Sequence, residues 1–283
     1  MESVAVHRNR KAGRQLTINS NKEMIMKKTV LAIALAAFAL AGNAQVLKNE
    51  FMKGYKEGDV LEKSVYSDRK APIQLDTWCG AFSSKPNTFP CPKAGSELAY
   101  EGYAEKGASI VFGGFPAGQK GARFSVYSIA EGKEYGRGVY YLSFLVNFSK
   151  LGGSGLADFV GLSPNYVGGG NRSNVYVCRE GGDRIRFGVS LLKNRAETTE
   201  AFDYDKTHLL VLKLDYDNQK ASLFVDPALG AEEPAEASCV ADGDADNVLK
   251  HAIRAISFRN RSGYIGMVGG FRWCDSWAGV VAQ

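Results

Sequence analysis

Apolar and polar positions alternate with a period of two through most of the chain beyond about residue 90. Val139–Phe148 shows it most plainly: Tyr140, Leu142, Phe144, Val146 and Phe148 fall on one side, while Tyr141, Ser143 and Asn147 fall on the other. A strand turns successive side chains to opposite faces, so this spacing predicts a sandwich strand with an apolar inner face and a mixed outer one. The same pattern predicts strands at Glu97–Tyr103, Ala108–Phe112, Ala122–Ile129, Ala157–Leu162, Asn174–Arg179, Arg184–Ser190, His208–Tyr216, Ala221–Val225, Ile253–Arg259 and Tyr264–Trp273. Turn signals separate them, among them Gly113-Gly114, Gly152-Gly153, Gly168-Gly169-Gly170, Gly181-Gly182-Asp183 and Asp217-Asn218. Only residues 236–250 have room for a helical turn, and their Gly and Asp content favours a loop. The more charged stretch Val46–Tyr66 reads as an N-terminal strand with its lead-in. Many short strands joined by Gly-rich turns, without a convincing helix, predict an all-β, two-sheet antiparallel sandwich. No linker or repeat divides residues 45–283, which are expected to form a single domain.

The segment Met26–Ala44 follows a different rule. Lys27 and Lys28 precede an uncharged apolar run from Thr29 to Leu40, and Gly42-Asn43-Ala44 supplies small residues at a cleavage position. This is the pattern of a secretory signal peptide, and the run is too short to remain as a membrane-spanning helix. Residues 1–25 are polar and basic; they read as a mis-assigned start or an extended leader. The mature chain is expected to begin at Gln45 and to be periplasmic or extracellular, soluble, and not lipid-anchored, because no Cys stands at the boundary. Processing also changes the charge. The full chain carries 35 basic and 30 acidic residues, a net +5, but seven basic and two acidic residues lie in the first 44. The remainder is balanced, so bulk charge gives no reason to expect a nucleic-acid partner. No later apolar segment approaches the roughly 18 residues that a membrane span needs.

All five cysteines, at 79, 91, 178, 239 and 274, lie in the exported part. Cys79 and Cys91 flank the loop GAFSSKPNTFP. They are either a disulfide that closes this loop, by roughly 3 kcal/mol in the chain-entropy model, or small buried hydrophobes. The other three are left unpaired by this reading, and the spacing fits no zinc motif.

Several segments together resemble a known family. His208-Leu-Leu-Val-Leu-Lys-Leu-Asp, a turn, and Ala221-Ser-Leu-Phe-Val-Asp-Pro227 are similar to the central hairpin of bacterial laminin-G-like jelly-roll domains of the concanavalin A-like lectin/glucanase superfamily. Val139-Tyr-Tyr-Leu-Ser-Phe-Leu-Val, the pair Leu98-Ala-Tyr and Gly113-Gly114, and the closing Asp275-Ser276-Trp277-Ala278 resemble further elements of that family. The resemblance implies a jelly roll over about residues 50–283. It implies no single function, because the superfamily holds lectins, glycosidases, lyases and adhesion modules.

Glycosidases of this superfamily carry carboxylates in a Glu-x-Asp-x-Glu pattern on one strand, and no segment here has it. Asp203-Tyr-Asp205 and Asp215-Tyr-Asp217 place carboxylates on one side but read as turns. His208 begins a core strand and reads as structural, and His251 has no evident partner for nucleophilic catalysis. Asp242, Asp244 and Asp246 occupy positions one, three and five of a weak candidate calcium loop, which lacks Gly at position six and has Ile253 at position twelve. Calcium is therefore the only cofactor entertained, and weakly. Sugar sites pair an aromatic face with amide and guanidinium donors. The loop Pro164–Asn174 has that composition. Tyr166 is expected to stack on a pyranose, and Asn165, Asn171 and Arg172 to bond its hydroxyls; Trp78 either offers a second platform or caps the core. The leading reading is an exported, non-catalytic module that recognises a glycan. The alternatives are a glycoside hydrolase or polysaccharide lyase, and a cell-envelope adhesion or structural protein that meets another protein.

Overall fold

The computed structural model describes residues 46–70, 74–84, 87–129, 135–167 and 170–281. The signal-peptide segment, the residues before it, and Gly168 and Gly169 lie outside the described residues. In chain order the strands begin with β1 (Val46–Lys48), β2 (Trp78–Gly80), β3 (Ala94–Glu97), β4 (Ala108–Phe112), β5 (Ala122–Ser128) and β6 (Val139–Lys150). Next come β7 (Ala157–Ser163), β8 (Ser173–Gly181), β9 (Arg184–Leu191), β10 (Asn194–Glu197) and β11 (Phe202–Asp203). The last are β12 (His208–Asp215), β13 (Lys220–Val225), β14 (Cys239–Asp242), β15 (Ala255–Arg261) and β16 (Ile265–Cys274), followed by a one-turn helix α1 (Trp277–Val280).

These strands form two antiparallel sheets. The first runs β14-β13-β12-β6-β16-β4-β3, with β1 beside β16; the second runs β10-β9-β8-β7-β15-β5-β2, with β11 beside β9. The protein is a two-sheet antiparallel jelly-roll sandwich. Among the described residues, no helix is long and apolar enough to cross a membrane.

The period-two pattern produces the core directly. Leu142, Phe144, Val146 and Phe148 of β6, and Leu210, Leu212 and Leu214 of β12, point between the sheets. Phe159, Leu162, Val175, Phe187 and Phe258 meet them from the second sheet. A bulge between Gly269 and Arg272 in β16 resets the alternation, so that Phe271 and Trp273 enter the core while Arg272 leaves it. Gly270 sits there at φ +59, the left-handed region that disfavours a side chain. The central hairpin, β12 to β13, turns through Asp215–Lys220. Backbone N–H groups of Asp217 and Asn218 donate to Asp215 Oδ1 at 3.0 and 2.8 Å, so that aspartate shapes the turn, as its sequence context predicts.

Some boundaries differ from the sequence expectation. The strand expected at Glu97–Tyr103 lies earlier, at Ala94–Glu97, because Leu98 and Tyr103 turn away to cover the back of the first sheet. Trp277 belongs to α1 and not to the closing strand. A short strand, β14, occupies part of the stretch expected to be loop.

The aromatic rings form a continuous layer. Phe159 meets Phe112, Phe144 and Phe148 at centroid distances of 6.0, 6.0 and 5.3 Å. Replacing a fully buried Phe by Ala costs about 3–5 kcal/mol through lost burial and an incompletely filled cavity. Phe159→Ala is expected to lower unfolding free energy by that amount in denaturant titrations, while Val240→Ala, on an exposed edge position, stays within about 0.5 kcal/mol. A loss below about 1 kcal/mol at Phe159 would contradict the central place given to this layer.

Candidate functional site

Two packed sheets have four faces, and the inner two are spent on the core. The outer face of the first sheet is apolar as well, because β6 and β12 carry Tyr141, Leu145, Leu209 and Val211 on their second side. The chain covers it. Trp277, Val280 and Val281 pack there with Leu98 and Tyr103. The Ser143 hydroxyl donates to Val280 O at 2.9 Å, and Tyr103 Oη donates to Gly270 O at 2.7 Å. Burial pushes the Tyr103 hydroxyl well above its ordinary range, so it stays a neutral donor.

The outer face of the second sheet is polar, and the described residues cover only one end of it. There Tyr66 stacks on Tyr166 with ring centroids 4.5 Å apart, above Val126 and Ala255. Beyond this cap the sheet is open, and three depressions meet on it. The first, of about 500 Å³, is lined by Arg69, Phe82, Asn87 and Phe124. The second, of about 330 Å³, is lined by Phe124, Asp158, Asn171, Asn174, Tyr176, Arg195 and Arg259. The third, of about 360 Å³, is lined by Ala122, Arg259 and Arg261. Phe124 is common to the first and second, and Arg259 to the second and third.

The pair at this junction is tightly fixed. The Arg259 guanidinium lies 4.3 Å from the Phe124 ring centroid, and its Nη1 donates to both Asp158 oxygens at 2.8 and 3.0 Å. Arg261 donates to the same carboxylate and, through Nε, to Asp158 O at 2.9 Å. Burial lowers the Arg259 pKa from its ordinary value, and Asp158 opposes that shift. A guanidinium keeps its charge through such a change. On the neighbouring strands, Arg195 lies 4.8 Å over the Tyr176 ring. Asn171 Nδ2 donates to Asn174 Oδ1 at 2.6 Å and to Ser257 Oγ at 2.9 Å. This amide lies against Gly161, where any Cβ would collide with it, so glycine is what lets Asn171 lie on the sheet. Two buried atoms of this depression have no hydrogen-bond partner in the protein: Asn171 Oδ1, an acceptor, and Arg259 Nε, a donor. A hydroxyl both donates and accepts, and so is suited to both.

The structure sorts the sequence candidates unevenly. Asn171 lines the second depression, and Val167, from the same loop, lines the first. Tyr166 is a correction: it is only 2% exposed, closed under Tyr66, with its backbone N–H donating to Arg69 O at 3.0 Å, and it offers no face to a sugar. Trp78 is likewise no platform. It is fully buried against Phe51, Tyr127 and Phe271, and its indole donates to Phe51 O at 3.1 Å. Asn165 accepts from Val167 N at 3.0 Å and shapes the local turn. The Arg172 backbone ties Leu162 to Leu192, and its side chain does not line the depressions.

Cys79 and Cys91 are free thiols, as are the other three cysteines, which overturns the disulfide alternative. Cys79 packs under Tyr66 beside the Ser64 hydroxyl, 3.3 Å away, and burial pushes both thiols above their ordinary pKa. The acidic residues of the candidate calcium loop are engaged within the protein. Asp244 accepts from the backbone of Asp246 and Asn247, each at 2.9 Å, and from Asn194 Nδ2 at 2.8 Å. These bonds, Asn194 first, hold its carboxyl below the usual range. Asp242 faces Lys220 at 3.4 Å. Among the described residues, no group of three His, Cys, Asp or Glu could hold a metal ion. His208 is structural: Nδ1 meets Asp226 Oδ2 at 2.7 Å and Nε2 meets Asp203 O at 3.0 Å. The sequence reading missed Phe124, Asp158, Tyr176, Arg195 and Arg259. One signal was present: Ser257, Arg259 and Arg261 alternate with apolar Ile256 and Phe258, so β15 turns a charged row outward.

No family model and no curated protein matches the chain. Among solved structures it is similar to the globular domain of T. cruzi calreticulin, at 13% identity and a TM-score of 0.41, over 72% of this chain and 86% of that one. It is also similar to lectin II from Ulex europaeus, at 9% identity and a TM-score of 0.39, over 73% and 95%. A third is the legume lectin-like domain from Entamoeba histolytica, at 11% identity and a TM-score of 0.37, over 62% and 85%.

The burial of Tyr166 gives a direct check. Tyr166→Ala is expected to destabilise the fold by about 3 kcal/mol, in the range for truncating a buried aromatic. Arg195→Ala, at an exposed position, is expected to stay within about 0.5 kcal/mol. Equal and negligible losses in thermal unfolding would place Tyr166 outside the packed cap.

Proposed function

We propose that this protein is an exported, non-catalytic module that binds a glycan on the outer face of its second sheet. The observation that carries the reading is the depression at Phe124, Asn171 and Arg259. It joins an aromatic surface to an unpaired buried acceptor and an unpaired buried donor. Sugars present both needs at once: an apolar C–H face for the ring, and hydroxyls that donate and accept. The laminin-G-like motifs at Thr207–Val211 and Ser222–Pro227, and the leader at Met26–Ala44, support a bacterial laminin-G-like domain at work in the periplasm or outside the cell.

The recognition reading is favoured over hydrolysis by the state of the carboxylate in the groove. Acid–base cleavage of a glycoside uses two carboxyl groups, about 5–5.5 Å apart for retention and about 6.5–9.5 Å for inversion. Among the described residues, Asp158 is the one carboxylate that lines the three depressions, and Arg259 and Arg261 hold it as part of the scaffold.

Titration calorimetry against a panel of soluble polysaccharides, with reducing-end assays on the same panel, tests this. Wild-type protein is expected to bind at least one member without releasing reducing ends. Asn171→Ala is expected to weaken that binding roughly tenfold, the worth of one or two well-placed hydrogen bonds. Reducing-end release, or binding untouched by Asn171→Ala, contradicts the proposal.

A further inference from the structure

The three depressions are charged out of proportion to the protein. Among the described residues, Arg69, Lys193, Arg195, Arg259 and Arg261 line them, against a single acid, Asp158. The chain from Gln45 onward is balanced, so this excess reflects segregation of charge onto one face and not bulk composition. Nearby acids do not cancel it. Glu180 and Glu197 face Arg186, and Asp203 pairs with Arg184 at 3.1 Å, so these acids are engaged by other guanidiniums.

Asp158 can neutralise only one of the guanidiniums that hold it. Lys193 and Arg195 stand exposed on the opposite wall of the second depression, and Arg69 is exposed at the rim of the first. Arg195 is also pre-positioned, since its guanidinium lies over Tyr176 and is not free to sweep through solvent. A recess lined by one sign of charge focuses field toward its mouth and raises the local concentration of the opposite sign. Planar guanidinium donors match a carboxylate or sulfate in two-point geometry.

We infer that the glycan is acidic. The open face of the second sheet recognises a sugar bearing a carboxylate or a sulfate, with the ring against the Phe124–Asn171 floor and the anionic group between Lys193 and Arg195. This rests on the recognition reading above and names the class of ligand for the same site.

The test compares polygalacturonate with its fully methyl-esterified form, and dextran sulfate with dextran, using polyglutamate as a polyanion without sugar. In calorimetry, wild-type protein is expected to bind one acidic polysaccharide at least about tenfold more tightly than its neutral counterpart and than polyglutamate, the difference one charge-assisted contact supplies. The acid carried by the tighter polymer identifies carboxylate or sulfate. The preference should shrink as salt rises. In the Lys193→Ala, Arg195→Ala double variant the ratio of acidic to neutral affinity should fall toward one, and Arg195→Lys should retain part of it. Equal affinity for acidic and neutral forms overturns the inference and leaves the recognition reading standing. Polyglutamate binding as tightly overturns it in favour of a general polyanion surface. A ratio unchanged in the double variant overturns the placement of the acid. Binding to none of the polysaccharides overturns the recognition reading along with the inference.

Discussion

The layer of phenylalanines between the sheets is what the rest of the molecule depends on. Phe144 and Phe271 stack with centroids 5.5 Å apart inside the first sheet, and Phe159 reaches them from the second. Rings of this size contribute most of the apolar area available to a sandwich, and they also set the separation of its sheets. The layer demands alternation along β6, β12 and β15, while in β7 a register shift between Asp158 and Val160 lets both Phe159 and Val160 enter the core. The outward positions are then free of the core and take whatever character the sequence gives them. On β6 and β12 that character is again apolar; on β15 and β8 it is charged and amide-rich.

That difference decides where a ligand can be met. An apolar outer face left in water would be a liability, and the chain closes it with its own C-terminal turn and the loop around Tyr103. The cover is anchored from within. Glu105 meets Arg272 at 2.8 Å, and both are nearly buried, so the residue that the β16 bulge turns outward finds its counter-charge in the covering loop. Losing one partner of such a pair would strand a buried charge, which makes the cover part of the fold and not a movable lid. The second sheet needs a cover only where Val126 and Ala255 interrupt its polar face, and Tyr66 and Tyr166 supply it. The Phe124–Arg259 surface is the portion left open.

The fold was legible in the sequence because its signal is local. Each residue of Val139–Phe148 declares its face from its neighbours two positions away, and the Asp215 turn is written in Asp and Asn. The site was legible only in part, because the exposure of an aromatic is not a local property. Tyr166 and Trp78 sit among polar and glycine residues that suggest a surface. Tyr66, about 100 residues before Tyr166, buries the one, and Phe51 and Phe271 bury the other. Phe124, flanked by Arg123 and Ser125, passes unnoticed by composition yet becomes the floor of the site. Its partner Arg259 arrives through the pairing of β15 with β5. Asn171 was named from composition, as an amide in a glycine-rich loop with an aromatic and a guanidinium. Only the structure shows the bare backbone of Gly161 waiting beneath it.

On the proposed reading, ligand meets this protein on the open face of the second sheet and nowhere on the first. Amide chemical-shift mapping during titration with short oligogalacturonates examines that most directly. Shifts are expected to concentrate at Phe124, Gly161, Asn171, Asn174, Tyr176, Arg195 and Arg259, with the amides of β12 and β13 unmoved. Shifts centred on the first sheet or on the loop around Pro227, or none at any residue, would contradict it.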